Sequence, residues 1–174
     1  DQTPVDQIHE YNHWNESFRY DLNASDASWV QDYSVNDTAR FQISSSGLLI
    51  SKLILEIGRV YGLEVRVYDD QDNYRAATFK ITVVDSVIPE IEGPQDEVFE
   101  EGMHGNFGLY WQVFDESLQN YTLFLNGLVI ASDTFDLVSA TVGFELSYSD
   151  FSIGVYNYTL VVEDAAGHVV CDTV

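Results

Sequence analysis

A segment that occurs twice constrains the fold of this chain more than any other feature. The first copy is residues 57–69 (IGRVYGLEVRVYD), and the second is residues 153–164 (IGVYNYTLVVED). Each copy has a glycine, a tyrosine, alternating apolar residues and a final aspartate, and these aspartates, Asp69 and Asp164, are 95 residues apart. Alternation is typical of a β-strand, and an aspartate after it indicates a hairpin turn.

A repeat of this length is too long for a solenoid unit and matches one small β-domain. The 174 residues, 45% of them hydrophobic, are enough for two such domains with their own cores. No long segment has a helical period. The sequence therefore predicts an all-β chain of two tandem antiparallel β-sandwich domains, 1–86 and 87–174.

The linker between the two domains begins near residues 85–89 (DSVIP). Pro89 and Pro94 favour an extended backbone, so we expect the domains to be joined end to end. The last strand is a few residues shorter than its counterpart in the first domain. We therefore expect the natural chain to continue past Val174 into another domain or an anchor.

Large aromatic residues mark the predicted cores. Trp29 and Trp111 lie in alternating segments and are expected at the centres of the two sandwiches. Tyr61 is placed like the tyrosine corner of such domains, where the hydroxyl binds upstream backbone, and Tyr156 is its repeat. Both tyrosines are expected to be buried.

The charge of the chain is strongly negative, at −22, and all seven basic residues lie before residue 86. Such a field repels nucleic acid and anionic lipid, so we expect neither as a partner. No apolar run is long enough to cross a bilayer, so we expect no membrane insertion in this segment.

Five Asn-x-Ser/Thr sequons indicate an exported glycoprotein. The predicted glycosylation sites are Asn15, Asn23, Asn36, Asn120 and Asn157. These sequons lead us to expect an extracellular or cell-surface location.

The single cysteine, Cys171, cannot form an internal disulfide and is expected to be a small apolar residue of the last strand.

The first domain contains three distinctive segments, residues 21–26 (DLNASD), 36–38 (NDT) and 79–83 (FKITV). In these segments it resembles the cadherin-like repeats of prokaryotic surface proteins. This resemblance implies a cadherin-like β-sandwich, and it implies that neighbouring domains of the same chain or other surface proteins are the partners.

The second domain has its own distinctive segments, which are residues 99–102 (FEEG), 121–127 (YTLFLNG), 154–159 (GVYNYT) and 164–167 (DAAG), together with Trp111. In these segments it resembles the immunoglobulin-like repeats of large archaeal cell-surface proteins. This resemblance implies an extracellular stalk, spacer or adhesion module.

Acidic residues predict one weak calcium site, since calcium binds carboxylate and carbonyl oxygens. In such a sandwich the last strand leaves at the pole opposite its preceding hairpin, which groups carboxylates at the domain junction. The predicted ligands are Glu56, Asp85, Asp115, Glu116 and Asp164. Apart from calcium, the sequence predicts no cofactor.

No catalytic constellation is recognisable, so we do not expect an enzyme. A catalytic Ser or Cys needs a base within reach, and none of the four histidines lies in a nucleophile motif. The alternative to a structural or adhesion module is a glycan- or ligand-binding accessory module. Exposed rings of Tyr11 and Trp14 would support that alternative by stacking on sugars.

Overall fold

The computed structural model describes residues 4–11, 17–22, 24, 29–136 and 138–174. In that part of the chain there are fourteen β-strands and one short 3-10 helix, Tyr148–Asp150. The chain divides into two compact units, unit 1 (Asp1–Ser86) and unit 2 (Val87–Val174). The predicted all-β fold of immunoglobulin/cadherin-like sandwiches is confirmed.

Unit 1 packs a four-stranded sheet on a three-stranded one. Its strands are β1 (Gln7–Glu10), β2 (Arg19–Asp21), β3 (Val30–Val35), β4 (Phe41–Ile43), β5 (Leu48–Ser51), β6 (Val60–Asp69) and β7 (Tyr74–Val84). The sheet orders are β1-β7-β6-β3 and β2-β5-β4. The described pairs are antiparallel except β1 with β7, which is parallel.

The core of unit 1 follows from strict alternation along its two longest strands. Leu63 and Val65 of β6 and Ile81 and Val83 of β7 all point inward and are almost fully buried. Phe41, from the opposite sheet, is completely buried against them. Burying each such side chain contributes about 1.5–3 kcal/mol, and this burial is the main force that holds the two sheets together.

Trp29 does not lie in this core, so that prediction is wrong. Its side chain is 81% exposed and its backbone has a φ of 75°. The register between β3 and β6 shifts between Val30 and Asp32, and Val30 packs against the core. This bulge shifts the alternation by one residue, so Val30 rather than Trp29 faces the core, on the same side as the buried Tyr33.

Unit 2 also has two sheets, and all its described pairs are antiparallel. Its strands are β8 (Glu90–Glu92), β9 (Asn106–Phe114), β10 (Leu118–Leu125), β11 (Leu128–Thr134), β12 (Ser139–Ser147), β13 (Tyr158–Asp164) and β14 (Val169–Thr173). The sheet orders are β12-β9-β8 and β11-β10-β13-β14. Asn126 and Gly127, both with positive φ, form the predicted two-residue hairpin between β10 and β11.

Trp111 lies at the centre of unit 2, as predicted, and is completely buried. Its indole Nε1 donates a 2.7 Å hydrogen bond to Asp172 Oδ2. A Cβ atom at Gly93 would lie 1.8 Å from that oxygen and 3.0 Å from the indole nitrogen. Gly93 thus allows its backbone to pass directly over this partly buried hydrogen bond.

Tyr156 is only half-buried, which corrects the prediction that it belongs to the core. Strand β13 begins at Tyr158, so Tyr156 precedes the strand and packs edge-on against Phe151, with ring centroids 4.8 Å apart. Tyr158 is buried in its place. Tyr61, by contrast, is the second residue of β6 and is buried as predicted.

The two units share a class but differ in strand arrangement. The fourth strand of unit 1, β4, joins the smaller sheet, whereas the fourth strand of unit 2, β11, joins the larger one. The first strand of unit 1 pairs with the last strand, whereas β8 pairs with the second strand, β9. The similarity between the two units is therefore limited to the final hairpin, whose first strand (β6 or β13) lies in the repeated segment, and does not extend to the whole sandwich.

Candidate functional site

The final hairpin of unit 1 is closed by Asp69. Its Oδ1 accepts hydrogen bonds from the backbone N–H groups of Gln71 and Asn73, each at 2.9 Å. Its Oδ2 accepts one from Asn73 Nδ2, also at 2.9 Å, and this side-chain bond is the main reason that the pKa of Asp69 is lowered. Asp72 takes the left-handed conformation that the turn needs, with a φ of 63°.

Asp164 closes the final hairpin of unit 2 in the same way. Its Oδ1 accepts from the N–H groups of Ala166 and His168, at 2.9 and 2.8 Å, and its Oδ2 lies 2.7 Å from His168 Nδ1. Asp164 has no exposed surface. This predicted metal ligand already uses both carboxylate oxygens within its own turn.

Asp115 is a second buried carboxylate at the same end of unit 2. Its Oδ1 accepts from the Ser117 N–H at 2.7 Å and from the Ser117 hydroxyl at 3.1 Å. The Ser117 carbonyl in turn accepts from the Ala165 N–H at 2.9 Å, which joins the two turns. Carboxylate oxygens of Asp115 and Asp164 lie within 4.8 Å of each other.

The remaining predicted calcium ligands are more exposed than these two. Glu116 is half-buried, and Glu56 forms a 2.5 Å ion pair with Arg59 that raises the pKa of the guanidinium. The Gly58 N–H donates to the Val83 carbonyl at 3.0 Å, which fixes the Glu56 loop beside the end of β7, just before Asp85. The five-residue calcium site itself stays a prediction.

The described sequons differ in the surroundings of their asparagines. Asn36 and Asn157 are exposed. Asn120 is half-buried on β10, where its Nδ2 donates a 3.3 Å hydrogen bond to Glu163 Oε2 of β13. Asn36 and Asn157 are therefore more accessible to a glycosyltransferase than Asn120 is. Asn15 and Asn23 lie outside the described residues.

Tyr61 forms the predicted tyrosine corner. Its hydroxyl accepts a 3.1 Å hydrogen bond from the N–H of Glu56, and its ring packs against Phe41 with centroids 5.8 Å apart. The hydroxyl of Tyr156 makes a similar local tie by accepting from the Ser152 N–H at 3.2 Å. These hydroxyls fix the chain ahead of each repeated strand.

Strand β1 is held against β7 by side-chain hydrogen bonds as well as by its backbone ladder, and the sequence did not predict these side-chain bonds. Asp6 Oδ1 accepts from the Lys80 N–H at 2.7 Å, just before the ladder begins. Glu10 Oε1 accepts from the N–H and hydroxyl of Ser86, at 2.6 and 2.9 Å, just beyond its end. These pairs span more than 70 residues of sequence, so no local pattern reveals them.

Of the two aromatic residues expected to stack on sugars, Tyr11 does not support that alternative. Tyr11 packs against the core and is half-buried. Its N–H donates a 2.7 Å hydrogen bond to the Val84 carbonyl, which extends the β1–β7 pairing by one residue. Trp14 lies outside the described residues.

The strand orders and the two separate cores define tandem immunoglobulin/cadherin-like β-sandwich units. No protein-family model matches the chain, and no curated protein matches it. Among the described residues, no helix is long and apolar enough to cross a membrane.

Several solved structures resemble the chain at low identity. The fibronectin(III)-like modules of Clostridium thermocellum CbhA match at 11% identity and a TM-score of 0.39, covering 97% of this chain and 87% of that one. The human desmocollin-1 ectodomain matches at 13% and 0.40, covering 98% and 34%. Protocadherin gamma B2 cadherin domains 3–6 match at 14% and 0.43, covering 98% and 44%. This chain thus spans less than half of the latter two, and its fold assignment rests on its own strand order.

Proposed function

We propose that this chain is a non-catalytic, tension-bearing module of an extracellular surface protein, where it acts as a spacer or adhesion segment. The observation that carries this proposal is the parallel pairing of β1 with β7 in unit 1. Gln7 lies opposite Ile81 and Glu10 lies opposite Val84.

This pairing makes unit 1 resist stretching. When the chain is stretched, force acts on β1 before Gln7 and on β7 after Val84, and these two points lie at opposite ends of the ladder. Because the strands are parallel, pulling slides one along the other and stretches all of their hydrogen bonds at once. A pair that opened from one end would lose its bonds one at a time, at a lower force.

The carboxylates of Asp6 and Glu10 reinforce both ends of this ladder. Each accepts from the backbone of β7 or of the residues just after it. Hydrogen bonds to a charged acceptor are stronger than neutral ones, and at these exposed positions water competes with them and reduces their contribution. They would also break under shear, so they add to the barrier that sets the unfolding force.

Unit 2 lacks this arrangement in its described strands. Its first strand, β8, lies in the β12-β9-β8 sheet, and its last strand, β14, lies in the other sheet. Tension across unit 2 is therefore carried by packing between the sheets rather than by one ladder. We expect unit 2 to unfold at a lower force than unit 1.

An extracellular location is supported by the five sequons and by the exposure of Asn36 and Asn157. The acidic surface, without Lys or Arg after residue 86, suits a segment that stays hydrated and does not adhere to anionic polymers. The partners in this proposal are neighbouring domains of a longer surface protein of prokaryotic or archaeal type, or other surface proteins.

Single-molecule force spectroscopy of the whole chain tests the mechanical proposal. We expect two unfolding events, each releasing about 30 nm of chain at about 3.5 Å per residue. Asp6→Ala and Glu10→Ala should each lower the force of the stronger event and leave the weaker event unchanged. Asp70→Ala, which removes an exposed carboxylate in the β6–β7 turn, is the control and should change neither. Equal forces in all variants would contradict the proposal.

A further inference from the structure

The outward face of the β12-β9-β8 sheet carries an unusual tyrosine. Tyr110 lies in the middle of β9 and is 49% exposed. Gly108 lies two residues before it on the same strand, and Gly143 is its direct partner on β12. Tyr110 therefore has one glycine next to it along its own strand and another directly opposite it on the neighbouring strand.

The ring of Tyr110 lies flat on the sheet. A Cβ atom at Gly108 would be 2.2 Å from one ring edge, and a Cβ atom at Gly143 would be 2.4 Å from the opposite edge. Because both edges approach the backbone equally closely, the ring plane is nearly parallel to the sheet. One aromatic face thus covers the two glycines, and the other faces solvent.

Polar groups surround this exposed ring. The Tyr110 hydroxyl donates a hydrogen bond to Glu145 Oε1, which fixes the ring and raises the pKa of the hydroxyl. On the other side, Gln112 Oε1 accepts a 3.0 Å hydrogen bond from the Thr141 hydroxyl. Gln112, Thr141 and Glu145 are all exposed on the same face.

A second aromatic residue extends this surface along β9. Phe114 is 43% exposed and lies four residues after Tyr110 on the same face. At about 3.4 Å per residue the two side chains are about 14 Å apart. The surface is thus elongated and flat rather than a pocket, a shape that suits a polymer.

Covering glycine with an aromatic ring is a known way to stabilise a sheet. That role alone does not require an exposed ring face between a carboxylate and an amide. The negative face of an aromatic ring attracts the weakly positive C–H groups of a sugar ring, while carboxylates and amides bind its hydroxyls. The surroundings of Tyr110 offer both kinds of contact.

The negative charge of unit 2 disfavours anionic ligands. The neighbouring strand β8 presents Glu90 and Glu92, both exposed, and no Lys or Arg follows residue 86. Sulfated or uronate-rich polymers would be repelled by this surface. A neutral polymer is not repelled.

We propose that the outward face of the β12-β9-β8 sheet, centred on Tyr110 and Glu145, binds a neutral polysaccharide chain of pyranose sugars. Tyr110 stacks on a sugar ring, Glu145 and Gln112 bind its hydroxyls, and Phe114 contacts a unit further along the chain. This site is independent of the tension-bearing role, so either proposal can fail without the other.

Affinity electrophoresis of the whole chain in gels containing a soluble neutral polysaccharide tests this site. The probes are hydroxyethylcellulose, xyloglucan and galactomannan, with polygalacturonate as the anionic control. We expect at least one neutral polymer to retard the protein and polygalacturonate to have no effect. Retardation by none of the neutral polymers, or by polygalacturonate alone, would overturn the proposal.

Variants separate binding from folding. Tyr110→Ala should weaken binding at least tenfold, Glu145→Gln should weaken it less, and Tyr110→Phe should keep most of it because the ring remains. Tyr74→Ala, which removes an exposed ring from unit 1, is the matched control and should bind normally. Thermal unfolding identifies any variant that does not fold, and Glu145→Gln then remains as the informative one. Equal binding by the wild type, Tyr110→Ala and Glu145→Gln would contradict the assignment.

Discussion

Asp69 and Asp164 make the same turn in two different units, and they differ chiefly in burial. Each accepts the backbone N–H groups two and four residues later on Oδ1, and each binds the side chain of the latter residue through Oδ2. Asp69 is partly exposed, whereas Asp164 has no exposed surface. The same hydrogen bonds therefore have different energetic weight.

We expect Asp164→Ala to destabilise unit 2 by about 3 kcal/mol, because it leaves two N–H groups without their buried acceptor. Asp69→Ala should destabilise unit 1 less, since water can replace the lost acceptor. Urea unfolding, monitored separately in each unit by hydrogen exchange, measures both losses of stability. Equal losses of stability in the two variants would show that burial does not determine how much these hydrogen bonds contribute.

The pKa of Asp69 predicts a pH dependence for unit 1. Its carboxyl has a lower pKa in the folded state than its ordinary value of 3.8 because Asn73 donates to it. A lowered pKa contributes stability that is fully present above the ordinary value and is lost as the pH falls through the lowered one. Asp69→Asn should therefore destabilise unit 1 at neutral pH and differ little from the wild type near pH 2. If the stability difference between Asp69→Asn and the wild type does not change with pH, the ionised Asp69 carboxylate does not stabilise unit 1.

The tyrosine corner predicts a loss of stability on removal of one hydroxyl. Tyr61→Phe leaves the Glu56 N–H without its acceptor at a partly buried site and should cost about 1 kcal/mol. Tyr74→Phe removes a hydroxyl from an exposed ring and serves as the control, with no expected change. An unchanged Tm for Tyr61→Phe would remove the corner as a stabilising element.

The calcium site predicted from the sequence can be tested without knowing its geometry. We expect millimolar calcium, added to chelator-treated protein, to release or absorb heat and to raise the Tm, since bound calcium relieves repulsion between carboxylates. Asp115→Asn should reduce the effect, and Asp70→Asn should not. If calorimetry detects no heat and the Tm does not rise, the site does not exist.

Local patterns in the sequence predicted those parts of the fold that depend on neighbouring residues. Alternation located β6, β7, β9 and β13, the Asn126-Gly127 pair located a hairpin, and Trp111 marked a core. Trp29 was placed wrongly because a bulge changes which face a residue occupies, and a bulge leaves no clear sequence pattern.

Features that depend on distant residues were not predictable in this way. The parallel pairing of β1 with β7 joins residues more than 70 positions apart, and two antiparallel strands would show the same alternation. The surface around Tyr110 requires Gly143 to lie opposite it, which is a matter of register between β9 and β12. A search for aromatic residues flanked by glycine on neighbouring strands could have found that surface once the register was known.

If the parallel β1–β7 ladder gives unit 1 its resistance to tension, the unfolding force of unit 1 should depend on the direction of pulling. Handles at the chain's N terminus and at position 86 load the ladder in shear, whereas handles at the N terminus and at position 80 peel β1 away from its first contact with β7. Both measurements use the whole chain, with Cys171→Ser so that only the introduced cysteines carry handles. We expect a clearly higher unfolding force in the shear direction. Equal forces in the two directions would show that the ladder does not carry the tension.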